Sequence, residues 1–197
     1  MCIRDRTVSN PKFLWSGEHW ILYLRQPGEF INSVSVSLYK TIYSNAGIGT
    51  VCLLQSDPKY GIEPKLLTDN REVAEFVRKY IISWKVSPFS DTVVTQDAKF
   101  ELAGDIRINP EWHIFFEDQK VIAKWFDLEP CILVNSPIDE DNITVAHSLL
   151  TFCKGGTVSL NENNVEGELF IRDTWKNLLG EPKSSGCFAL SETLATN

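Results

Sequence analysis

The sequence predicts an α+β chain dominated by antiparallel β-structure: a curved sheet or barrel with one amphipathic helix packed on it. Two observations predict it. Apolar and polar residues alternate with a period of two in segment after segment, and short turn signals join those segments. A single stretch around residue 75 carries a helical period instead. Strands joined by tight turns form meanders, and a sheet of about ten strands curls, because closure removes its exposed edges.

Each element has its own local signal. Residues 18–24 set Trp20, Leu22 and Leu24 against His19, Ile21 and Tyr23, a strand covered on both faces. Gln26-Pro27-Gly28-Glu29 turns the chain. In the next strand Val34, Val36, Leu38 and Ile42 share one face, while Ser35, Ser37, Tyr39 and Thr41 share the other. Lys40 interrupts the apolar face. A third strand is expected at 49–55 and a loop at 56–64. Asp69 is expected to cap a helix over 70–83, with Glu72 completing a capping box. Val73, Phe76, Val77, Tyr80, Ile81 and Trp84 make its apolar stripe, and Glu75 is placed to pair with Lys79.

Beyond Ser87-Pro88, strands are expected at 91–103 and 106–108, parted by a turn at Gly104-Asp105. Residues 112–116 and 121–126 read as a hairpin around Asp118-Gln119. Pairing Phe116 with Val121 puts Trp112, Ile114, Ala123 and Trp125 on one face and His113, Phe115, Ile122, Lys124 and Phe126 on the other. A short strand at 131–134 and an acidic loop at 137–142 precede alternation over 143–152. Gly155-Gly156 reads as a turn before a strand at 157–160. A strand at 165–171, a short helix capped by Asp173 and ended by Gly180, and a strand at 186–191 complete the order. The resulting shape is calycin-like, an analogy of architecture that no motif in the chain carries.

Residues 7–197 read as a single β-rich domain. The first six, Met1-Cys2-Ile3-Arg4-Asp5-Arg6, differ in character from the rest of the chain and are expected to be a non-native N-terminal extension. With 43% hydrophobic and 23% charged residues, the chain can build a core without a metal or disulfide staple. Its net charge of −7 argues against nucleic acid and against anionic membrane surfaces as partners. No apolar run approaches the roughly 18 residues of a membrane-spanning helix, so a cytoplasmic protein is expected. Five widely spaced cysteines without a C-x-x-C pair oppose a disulfide framework and a zinc site; they read as core thiols. One glycosylation sequon, Asn142-Ile143-Thr144, is present.

The three histidines are the natural place to seek acid–base chemistry. His147 shares a face with Ile143, Val145 and Leu149, so it is expected to point inward and is the best catalytic candidate. His113 lies with Phe115 and Phe126, and His19 near a strand start is peripheral. No two histidines have ligand spacing, so no metal is expected, and no dinucleotide, Walker or nucleophile-elbow motif implies a cofactor or an acyl-transfer enzyme. Lys40 on an apolar face is either a desolvated base or a side chain snorkelling to solvent. Trp112 and Trp125 share an apolar face and either fill the core or line a cavity.

The sequence is compatible with three functions. The first is a module binding a small hydrophobic or aromatic ligand in an aromatic-lined cavity, with His147, His113, Trp112, Trp125 and Lys40 as contacts. The second is a cofactor-independent isomerase, dehydratase or decarboxylase with His147 as its acid–base group. The third is a structural or protein-interaction domain with a filled core. The oligomeric state is left open by the sequence.

Overall fold

The computed structural model describes residues 12–82, 93–137 and 144–196. In chain order the elements are β1 (Lys12–Leu24), β2 (Val34–Ser44), β3 (Gly49–Ser56), β4 (Lys65–Thr68), α1 (Arg71–Val77), β5 (Thr95–Asp97) and β6 (Lys99–Ala103). Next come β7 (Glu111–Phe116), β8 (Gln119–Leu128), β9 (Ile132–Pro137), β10 (Thr144–Leu160), β11 (Asn163–Asn164) and β12 (Ile171–Arg172). The last are α2 (Lys176–Leu179), β13 (Lys183–Ser184) and β14 (Gly186–Thr196). Expectations about residues 1–6, Trp84, Ser87-Pro88, the acidic run 139–141, and Asn142 and Ile143 of the sequon fall outside the described residues.

Ten strands run in the order β5–β4–β3–β2–β1–β14–β10–β8–β7–β6, forming a nearly closed barrel. The two ends of that path are consecutive in the chain. Only Ala98 separates β5 from β6, and its amide donates to Thr68 O at 2.8 Å. One run of backbone thus pairs in parallel with β4 and antiparallel with β7, and closes the wall.

The alternation of β2 does what its pattern requires: Val34, Val36 and Leu38 are fully buried inside the barrel. Ile42 departs from the expected face and is exposed, because a bulge between the Ser16↔Tyr43 and Gly17↔Thr41 pairs shifts the register there. In β3 both faces are buried. Cys52 and Leu54 line the interior, while Val51 and Leu53 pack beneath α1. Strand β4, which no sequence signal marked, completes the platform on which α1 lies.

Helix α1 is capped by Asn70, whose side chain accepts from the Glu72 and Val73 amides. Asp69, the expected cap, instead accepts the Thr50 amide at 2.6 Å and ties the helix start to β3. Val73, Phe76, Val77 and Ile81 are buried as the stripe predicts. From Arg78 to Ile82 the helix continues as a π turn, and Tyr80 is exposed. The wider turn rotates it off the stripe. Glu75 pairs with Arg78 at 3.5 Å, one residue short of the expected Lys79.

The β7–β8 hairpin turns through Glu117 and Asp118, with Glu117 at φ 49°. Its register is Phe116↔Gln119 and Ile114↔Val121, two residues from the expected pairing. A slip of two preserves both faces, so Trp112, Ile114, Phe116, Val121, Ala123 and Trp125 are all buried. The direct partner of Trp112 is nonetheless Ala123, not Trp125.

The largest departure from expectation is β10. Gly155 and Gly156 are not a turn but sit inside one strand that joins the expected segments at 143–152 and 157–160. A Cβ on Gly155 would overlap the Phe126 ring, and one on Gly156 would lie 2.5 Å from Leu22 Cδ1. The glycines are there for close approach, not for bending. Two shorter expectations also fail. Residues 106–108 form a turn closed by Asn109 N donating to Asp105 O. In 165–171 only Ile171 is in a strand, while Val165 is a buried plug and Glu168 bridges to Arg25. The short C-terminal helix, α2, does end at Gly180 with φ 78°, and β14 extends the expected last strand to Thr196.

Candidate functional site

The barrel interior is occupied by aromatic side chains. Trp20 stacks on Phe188 at 4.4 Å between centroids and meets Trp125 and Trp112 edge-on at 5.2 and 5.9 Å. All four are essentially buried. Trp125 Nε1 donates to Ile21 O at 2.8 Å, and Trp20 Nε1 donates to Glu18 Oε2 at 3.1 Å. Trp112 Nε1 has no partner among the described residues. Trp112 and Trp125 therefore meet around Trp20, a third tryptophan that sequence pattern placed only on a strand face.

Lys40 does lie on the barrel-lining face of β2. Its Nζ reaches Glu18 Oε1 at 2.7 Å, with side-chain exposures of 39% and 12%. A buried carboxylate holds the amine of this partly exposed side chain, and the same carboxylate accepts the Trp20 indole N–H.

His113 faces outward on β7, beside Phe115, with Nε2 3.7 Å from Glu111 Oε2. His147 occupies the expected face of β10 but is exposed, and its Nδ1 lies 2.9 Å from Asn135 Oδ1. The reason it does not point into the core is length. Strands β1, β2, β9, β10 and β14 run on beyond the barrel wall as a five-stranded extension. His147 is four residues from Thr151, the β10 residue level with Phe188 and Trp20, so it lies roughly 13 Å past them along the strand. The structure does not bring His147, His113 and Lys40 together.

What the extension does bring together is a cross-strand row, Tyr43–Ser16–Thr193–His147–Asn135, one residue from each of its strands. Residues directly opposite share a face, and this face continues the barrel lining into solvent. Ser16 and Thr193 hydroxyls bond to each other at 3.0 Å. Phe13, Ser16, Tyr43 and Thr193 line a shallow hollow of about 250 Å³. Leu133, Leu149 and Leu190 are exposed beside it. The opposite face of the extension is buried through Trp15, Ala146 and Leu194, which join the cluster beneath α1. Only strand register reveals this row; no local spacing in the sequence links residues so far apart.

A second cluster lies on the buried outer face. Ser148 Oγ donates to Glu192 Oε2 at 2.7 Å, Glu192 Oε1 is 3.4 Å from His19 Nδ1, and the His19 ring stacks on Tyr39 at 4.2 Å. His19 is thus no peripheral residue. The order is serine–carboxylate–histidine: it is the carboxylate that faces both the hydroxyl and the imidazole. Burial, with Tyr23, Glu192 and Cys187 adding, holds the Tyr39 phenol well above its ordinary range.

The remaining chemistry is quiet. Cys52, Cys153 and Cys187 are buried and Cys131 is exposed. Burial raises the three buried thiols, that of Cys153 to about 12. Among the described residues no group of three His, Cys, Asp or Glu side chains is arranged to hold a metal. No described helix is long and apolar enough to cross a membrane. A second hollow, about 360 Å³, lies outside the barrel between Arg107, Asn109, Lys124 and Phe126.

Fold and site together define a nearly closed, mostly antiparallel barrel with an aromatic cluster inside it and an open sheet extension. No protein-family model, curated protein or solved structure matches the chain.

Proposed function

We propose that the chain is a protein-interaction domain: the barrel is a packed scaffold, and the exposed face of the five-stranded extension is its working surface. One observation carries this reading. The row from Tyr43 to Asn135 and the leucines beside it contain no charged side chain, in a chain of which 23% is charged. Loss of charge with retention of aromatic, aliphatic and hydrogen-bonding groups is what distinguishes the centre of an interface from ordinary surface. The barrel interior supports the ligand-binding alternative less well, since Trp20, Trp125 and Phe188 are buried there against one another. The acid–base alternative has, among the described residues, only Asn135 as a hydrogen-bond partner for His147.

The test is capture of a partner, its purification, and titration against the wild type and two face variants, Thr193→Arg and Leu149→Asp. Each is expected to weaken binding at least about tenfold, as central interface positions do, while the unfolding midpoint stays within a few degrees. A saturable complex that both variants bind as tightly as the wild type contradicts the reading.

A further inference from the structure

The barrel closes through a short seam, and α1 spans it. We infer that α1 is a clasp on an opening strand: the run 95–103 detaches from β4 by local unfolding while it stays paired with β7. The backbone pairing is unequal on its two sides. Toward β4 there are three pairs in parallel register, Leu66↔Thr95, Leu67↔Gln96 and Thr68↔Asp97. Toward β7 there are five antiparallel pairs, from Lys99↔Phe115 to Ala103↔Glu111. A parallel ladder is the less stable per residue, so the shorter side is also the weaker.

Side chains of α1 and β4 make up the difference. Arg71 grips Asp97 with both branches, Nε to Oδ1 at 2.8 Å and Nη2 to Oδ2 at 3.0 Å. Arg78 donates from Nη2 to Thr95 Oγ1 at 2.7 Å and to Val93 O at 3.0 Å. Lys65 donates to Gln96 Oε1 at 3.1 Å. Arg78 is a buried residue and stands where α1 passes into its π turn, a distortion that recurs at functional positions. The Arg71–Asp97 pair is different: its side chains are 65% and 75% exposed, so it holds weakly and yields to salt.

The inner face of the same run matters to the interior. Ala98 and Phe100 pack against the cluster that holds Leu67 and the tryptophans. Detachment at β4 therefore uncovers the aromatic interior without dismantling the β1–β14–β10 wall, and a segment held by few backbone bonds belongs to the low-stability end of a fold.

Amide hydrogen exchange on the full chain, resolved by NMR, tests this. The Ala98 and Leu66 amides bond across the seam to Thr68 O and Val94 O. They are expected to exchange at least about tenfold faster than the protected amides of β1 and β14, as local opening below the global free energy requires. Asp97→Asn and Arg71→Gln, both on the surface, should each speed the seam amides about two- to five-fold and leave β1 and β14 unchanged. Arg78→Gln should speed them further; if that variant fails to fold, the two surface variants still decide. One common rate for the seam and for β1–β14 in the wild type overturns the inference, and so does a seam rate that neither surface variant moves.

Discussion

The Phe126 ring lies where a side chain on Gly155 would be. Because a Cβ there would overlap the ring, which must then shift, Gly155→Ala is expected to destabilise the fold by about 1–3 kcal/mol, the usual range for overpacking. Urea unfolding measures this, and adding Phe126→Leu should return part of the loss if the ring is the obstacle. Trp20 is the complementary case. It touches Phe188, Trp112 and Trp125 at once, so Trp20→Ala should cost about 3–5 kcal/mol through lost burial and an unfilled cavity. At this scale the sequence was partly legible. It placed Trp112 and Trp125 on one apolar face, which they share. It could not place Glu18 against Lys40 or His19 against Glu192, because those contacts depend on which strands become neighbours. His147 was assigned to the right face and the wrong environment, since alternation tells which side a residue faces but not whether a wall stands opposite.

At the scale of elements, local chemistry and long-range pairing divide the outcome. The helix was legible because its period and cap are local, yet its cap is Asn70 and not Asp69. The neighbouring carboxylate was taken by the Thr50 amide of β3, a tertiary bond. Asn70→Ala should therefore lower stability by about 1 kcal/mol, the common value for losing such a cap. Asp69→Ala should loosen the α1–β3 junction instead, read as faster exchange at the Thr50 amide. The strand β10 reads locally as two strands and a turn because Gly-Gly usually marks a turn, whereas here both glycines admit neighbours, Phe126 and Leu22. Short strands such as β4 escape notice in the sequence because they leave too few residues for a period to show.

At the scale of the molecule, the fold class was legible and the working surface was not. Alternation and turn spacing imply a curved sheet or barrel, but the extension exists only because five strands outrun their neighbours, a matter of relative length. The buried thiols make a further whole-molecule prediction. Burial raises the Cys153 thiol from 9.0 to about 12, and Cys52 and Cys187 move the same way. The unfolded chain then releases protons that the folded chain keeps. Stability from these groups is fully present below pH 9 and is lost as pH climbs from 9 toward 12. Equilibrium unfolding across that window should show the decline, and Cys153→Ala should flatten it in part.

Everything proposed for the sheet extension rests on the barrel interior being a packed core and not a binding cavity. An NMR titration of the tryptophan indole signals with a panel of apolar and aromatic compounds and a fatty acid decides between the two. A packed core leaves the indole signals of Trp20, Trp112 and Trp125 fixed up to millimolar ligand, and that is the expected result. Saturable movement of those three signals by any one compound would contradict it and restore the interior as the binding site.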